Sequence, residues 1–161
     1  MSGPYPHLLT NLSPREAITD TIYRALIGFD NNDVPLFNSA CSTKHEVTFD
    51  LDGRIFTGVD AIRRQLLDFI GPMDTTHMLS NIRVEVKDGA DVEGGKASLT
   101  AYALAQHCLP GEGTQPDGRK FLAASTYAVE LEKEWELWVV VKWAMKIIWT
   151  QGDAGIMQST G

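Results

Sequence analysis

Hydrophobic positions recur at two different periods along the chain. Ile18, Ile22, Ala25, Leu26 and Phe29 lie three and four residues apart, which draws one apolar stripe along a helix. Ser13-Pro14-Arg15-Glu16 opens that helix: Ser13 can cap it, Pro14 suits the first helical position and Glu16 can return a hydrogen bond. Asp30-Asn31-Asn32-Asp33 closes it, and Asp33 caps a short second helix over Val34 to Ala40 with Pro35 in its first turn. His45 to Asp50 and Arg54 to Thr57 read as strands turned by Asp52-Gly53. Gly58 to Ile70 returns to the helical period, with Ile62, Leu66 and Phe69 on one side, until Gly71-Pro72 stops it.

Beyond Thr75 the period becomes two. Thr76 to Lys87, Ala97 to Leu109, Lys120 to Lys133 and Leu137 to Trp149 are predicted strands, separated by Asp88-Gly89 with Gly94-Gly95, by the loop Pro110 to Gly118, and by Glu134-Trp135-Glu136. Early helices followed by an antiparallel meander predict an α+β fold in which a curved sheet wraps around the helices. The expected organisation is a flexible N-terminus (1–12), one domain (13–150) and a flexible tail (151–161).

Alternation also sorts side chains by face. Regular strands would place His77 with Leu79, Asn81 and Arg83, and would line up Ala101, Ala103, Ala105 and His107. The next face carries Phe121, Ala123, Ser125, Tyr127 and Val129. The last carries Val139, Val141, Trp143, Met145, Ile147 and Trp149, with Val140, Ala144 and Ile148 on its outer side. Small residues leading to histidines leave space where a solid core would be filled with Leu or Ile.

A net charge of −7 argues against nucleic acid or an anionic membrane as partner. Cys41 and Cys108 form no metal-ligand spacing or disulfide framework, and neither a secretory leader nor a membrane span is read, so a cytoplasmic location is expected. The sequence has no G-x-S-x-G elbow, P-loop or dinucleotide fingerprint, and no pair of carboxylates suited to glycoside hydrolysis.

Three short pieces, in order, carry a resemblance: Gly28-Phe29-Asp30-Asn31-Asn32-Asp33 closing the first helix, Thr75-Thr76-His77 opening a strand, and His107 ending the next. From Ser13 to Trp149 the chain resembles SnoaL-like members of the NTF2-like superfamily, of the scytalone dehydratase and bile-acid dehydratase type. The resemblance implies a cone-shaped α+β fold, an Asp30–His77 pair, His107 as a second active-site histidine and Ser125 as a polar substrate contact. Phe29 stands in place of a tyrosine, Tyr127 in place of an asparagine, and Phe49-Asp50 where a second water-holding tyrosine would be, so the resemblance leaves the substrate open and lends less support to a strict water relay of that type.

On this reading His77 is a base removing a proton next to a carbonyl, Asp30 orients it, and His107 donates to a departing hydroxyl or an enolate oxygen. Phe29, Phe49, Ser125, Tyr127, Trp143 and Trp149 would contact substrate, with no metal or organic cofactor. The expected activity is a cofactor-independent dehydratase or isomerase acting on a polycyclic or aromatic small molecule of secondary metabolism. The alternatives are a cyclase or rearrangement catalyst, or a non-catalytic binding module. Plain packing competes at each position: Asp30 as a helix cap, His77 as a core histidine, Trp143 and Trp149 as core. The resemblance also implies a homo-oligomer, dimer or trimer.

Overall fold

Ser13 opens the first helix as its spacing predicts. Its hydroxyl accepts the Glu16 N–H, and the Glu16 carboxylate accepts the Ser13 N–H at 2.7 Å, so two backbone donors at the start of α1 (Pro14–Asp30) are satisfied. The structure, a computed structural model, describes residues 8–158; His7 and the rest of the first seven residues lie outside the described part. Asp33 accepts the Leu36 N–H at 3.0 Å and starts α2 (Val34–Ser39). Then come β1 (Thr48–Leu51) and β2 (Arg54–Thr57), joined by Asp52 and Gly53, both at positive φ. The third helix, α3, is a helical turn Val59–Ile62, a π segment Arg63–Leu67 and a last turn Asp68–Ile70.

The meander consists of β3 (Asp74–Asp88), β4 (Lys96–Cys108), β5 (Lys120–Glu134) and β6 (Leu137–Gly152). All six strands form one sheet in the order β2-β1-β6-β5-β4-β3, antiparallel except where β1 runs parallel to β6. The α+β class and the order of elements agree with the sequence reading. The α1 stripe packs with Phe37, Val47 and Leu67 against Leu99, Val129, Leu131 and Val140 on the sheet's inner face. Each such side chain contributes roughly 1.5–3 kcal/mol by leaving water.

Three bulges change the strand faces expected from strict alternation. In β3, Asn81 lies at φ 53, and the pairing steps from Ser80↔Tyr102 to Arg83↔Thr100. Ile82, Val84 and Val86 therefore take the inner face, while Arg83 turns outward and does not share His77's side. An extra residue at Val141 brings Val140 inward opposite Leu131, fully buried, rather than onto the outer face. Another at Ile148 pairs Trp149 with Ala124 while Ile147 pairs with Ser125, which carries Trp149 to the outer face.

The ends also differ from expectation. His45 lies before β1, its N–H held by the Ser42 hydroxyl at 2.9 Å and its ring 3.2 Å from Glu132. The buried Glu134 carboxylate anchors that loop through Ser42, Thr43 and the Lys44 N–H. At the other end β6 runs to Gly152 and a 3-10 turn follows over Ala154–Met157, with Ile156 buried and Asp153 paired to Arg119 at 2.7 Å. Regular structure thus continues past residue 151, with Ile156 packed inward. Among the described residues no helix is long and apolar enough to cross a membrane.

Candidate active site

Asp30 is the last residue of α1, and His77 lies near the start of β3. Two residues before Asp30, a Cβ on Gly28 would stand 2.8 Å from both Cβ and N of Phe37, so its absence allows α2 to lie close against the end of α1. One Asp30 oxygen accepts the His77 backbone N–H at 2.9 Å, and the other is 2.6 Å from Nδ1 of the same residue. A carboxylate only accepts, so Nδ1 carries a proton, and in the neutral ring Nε2 is the nitrogen that holds the lone pair. Among the described residues no protein group hydrogen-bonds Nε2. The two side chains are 9% and 15% exposed, so the contact is shielded but not sealed.

His107 faces this pair from β4, its ring 5.6 Å from that of His77 and nearly perpendicular to it. It is buried directly across from Thr75, whose Oγ1 lies 3.4 Å from Nδ1. Burial, with a further push from His77 and a partial counter-pull from Asp30, lowers its pKa to about 4. His107 is therefore a neutral ring near neutral pH. Tyr127 is neutral as well: burial raises its phenol above the ordinary value, a hydrogen bond with Ser125 opposes that, and the Asp30 charge adds to it. Ala105 pairs with His77, Ala103 with Ser125 and Ala101 with Tyr127, so three methyl groups line the floor between the polar side chains.

Aromatic rings form a continuous wall away from the histidines. Phe29 is 6.3 Å from His77 and 5.1 Å from Phe37; Phe37 is 6.3 Å from Phe49; Trp143 stands 5.3 Å from Phe49 and 5.1 Å from Tyr127. Asp30, His77, His107, Phe29, Phe49, Ser125, Tyr127 and Trp143 thus come together on one inner surface. Trp149 does not, because the Ile148 bulge turns it outward and leaves it half exposed. The sequence reading missed Phe37, hidden in a helix too short to show a period, and Thr75, although Thr75 is two residues from His77 and so shares its face.

The cluster offers one basic nitrogen backed by a carboxylate, and neutral N–H and O–H groups that can donate to an oxygen. Among the described residues no three His, Cys, Asp or Glu side chains converge to hold a metal ion. Two surface grooves of about 530 and 380 Å³ lie elsewhere, one beside the start of α1 at Leu12 and Tyr23, the other beside Asp50, Asp52 and Lys146.

A family model described as a SnoaL-like domain matches residues 10–144. Terrestric acid biosynthesis cluster protein E of Penicillium crustosum is 40% identical over 144 residues, which cover 88% of each chain. Among solved structures, the hexachlorocyclohexane dehydrochlorinase LinA Type2 is 24% identical with a TM-score of 0.69, over 88% of this chain and 89% of that one. A candidate scytalone dehydratase of Novosphingobium aromaticivorans DSM 12444 is 18% identical with a TM-score of 0.69, over 86% and 87%. At these identities the two structures share the fold.

Proposed function

The chain belongs to the SnoaL-like domain family and has the NTF2-like fold, and from that premise we propose that it is a cofactor-independent lyase or isomerase of secondary metabolism, with His77 as its base. The observation that carries this reading is the double contact of the Asp30 carboxylate with His77, which fixes one tautomer and leaves Nε2 basic. Similarity to a protein of the terrestric acid biosynthesis cluster supports a place in the making of a small natural product.

In the proposed reaction Nε2 of His77 takes a proton from the carbon next to a carbonyl, and the C–H electron pair moves onto the carbonyl oxygen. Asp30 offsets the charge of the imidazolium formed. His107 and Tyr127, both neutral, serve as hydrogen-bond donors to the enolate oxygen, where such groups act most strongly in a site short of water. In a dehydration the enolate collapses, the hydroxyl one carbon further on departs, and it takes the proton held by His77 to leave as water. In an isomerisation the same proton returns at another carbon of the conjugated system. Either outcome conserves the proton, so the residues of the chain suffice. The aromatic wall from Phe29 to Trp143 suits a flat or cyclic substrate.

The test is metabolic. A host carrying the genes that neighbour this one, together with the His77→Ala form, should accumulate a precursor. For a dehydratase it is heavier than the wild-type product by one water, and for an isomerase it has equal mass. An unchanged metabolite profile with His77→Ala overturns the proposal.

A further inference from the structure

Two histidines facing one substrate must take opposite parts, one accepting a proton and the other donating a hydrogen bond, or they compete. Asp30 settles the part played by His77. For His107 the choice falls to Thr75. The two are direct partners across β3 and β4, their side chains are buried on the same inner face, and Oγ1 lies 3.4 Å from Nδ1.

We propose that Thr75 is a positioning residue: its hydroxyl donates to Nδ1 of His107, which holds that ring in the tautomer with the proton on Nε2. The inference rests on the acid–base reading of the site and extends it.

Buried polar groups need hydrogen-bond partners. A threonine in a helix can return its hydroxyl to the carbonyl a turn back, as Thr21 does to Ala17, but a strand offers no such acceptor. Among the described residues the Thr75 hydroxyl makes this hydrogen bond and no other. Were Nδ1–H to donate to Oγ1, the hydroxyl proton would be buried without an acceptor and would bear its full desolvation penalty. With the hydroxyl donating, its own hydrogen and the Nδ1 lone pair are satisfied together, and Nε2–H becomes the ring's available donor. A neutral ring is what makes this matter: at neutral pH His107 carries one proton, so the nitrogen that holds it decides whether the ring stabilises an enolate oxygen or repels it. At 3.4 Å the contact is long, with room to tighten when a ligand engages the opposite nitrogen. The same lock would explain why a polar residue sits at a buried strand position that valine fills equally well by shape.

The experiment needs no substrate. In protein labelled with ¹⁵N-histidine, the ring nitrogen shifts distinguish protonated from bare nitrogens, and His107→Gln assigns the His107 signals by their loss. Wild type and Thr75→Ser should show Nε2 protonated and Nδ1 bare, while Thr75→Val, and Thr75→Ala should the valine form fail to fold, should move the proton onto Nδ1 or average the two. A wild-type His107 protonated at Nδ1 overturns the proposal, as does an unchanged ring in the valine or alanine variant. In turnover of the accumulated precursor, Thr75→Val should lower kcat by about 10–100-fold with KM little changed, the loss of one aligned donor, and Thr75→Ser should restore it. The two readings fail separately: full turnover by His77→Ala refutes the acid–base function whatever the His107 tautomer, whereas full turnover by Thr75→Val with His77→Ala inactive refutes the role of Thr75 alone.

Discussion

Asp30→Asn changes the site least in shape and most in charge. The carboxylate receives two hydrogens from one residue, the His77 N–H at 2.9 Å and Nδ1–H at 2.6 Å, whereas an amide has one oxygen to offer. If that oxygen stays on Nδ1, the amide NH₂ is pressed against the His77 N–H. If it turns to the backbone, the NH₂ faces Nδ1, and only the tautomer with the proton on Nε2 fits, so the base is gone. Even in the first arrangement the imidazolium formed during reaction loses its counter-charge. Unit charges about 4 Å apart in surroundings of effective dielectric about 20 attract by about 4 kcal/mol, and the partial exposure of Asp30 trims this to about 3 kcal/mol. At 1.36 kcal/mol per factor of ten, kcat should fall by about 10²–10³, and by up to about 10⁴ where the wrong tautomer prevails. Folding should weaken by about 1.5–3 kcal/mol, the worth of one hydrogen bond to a charged group. The assay pairs kcat and KM on the accumulated precursor with urea unfolding of the same sample. An Asp30→Asn protein that is folded and turns over within about threefold of wild type would refute the reasoning.

Other outcomes follow from the same contacts. Gly28→Ala places a methyl 2.8 Å from Phe37 Cβ and N, so α2 must shift; a loss of about 1–3 kcal/mol in urea unfolding is expected, with a parallel loss of turnover because Asp30 lies two residues on. The folded pKa of His107, about 4, lies below the ordinary value of 6.5, so the unfolded chain binds a proton there that the folded chain refuses. Its stability is whole above about pH 6.5 and is lost as pH falls toward 4, on the order of 2–3 kcal/mol, and His107→Gln should flatten that part of the pH–stability curve. On the outer face Met78, Leu104, Ala124 and Trp149 are successive partners across four strands, and all but Ala124 are exposed. Copies of the chain are expected to associate through this row, and Leu104→Arg should reduce the mass seen by light scattering to that of one chain while leaving turnover intact.

The parts of the fold legible in the sequence were those set by local chemistry. Ser13 and Glu16 form the predicted capping box, Asp33 caps α2, and Asp52-Gly53 turns β1 into β2. The inward set of β4, Ala101 to His107, also read correctly because β4 carries no bulge over that stretch, and so did His77, which precedes the irregularity in β3. Counting by twos failed wherever a residue was added. Asn81 was a usable signal, since asparagine tolerates positive φ better than most residues, yet nothing in Val141 or Ile148 announces a bulge. Those two β6 bulges moved Val140 into the core and Trp149 out of the site. The Asp30–His77 contact spans 47 positions of sequence, and only the family resemblance pairs the two residues, since spacing alone gives no measure of such a distance.

The claim that Nε2 of His77 removes a carbon-bound proton is tested most directly by hydrogen exchange. The accumulated precursor is incubated in D₂O with wild type or with His77→Gln, and deuterium is followed by NMR at the carbon next to the carbonyl. Wild type should introduce deuterium there, and His77→Gln should do so slower by about 10²-fold or more. Equal rates of incorporation by the two proteins, or turnover by wild type with that hydrogen retained, would contradict the account.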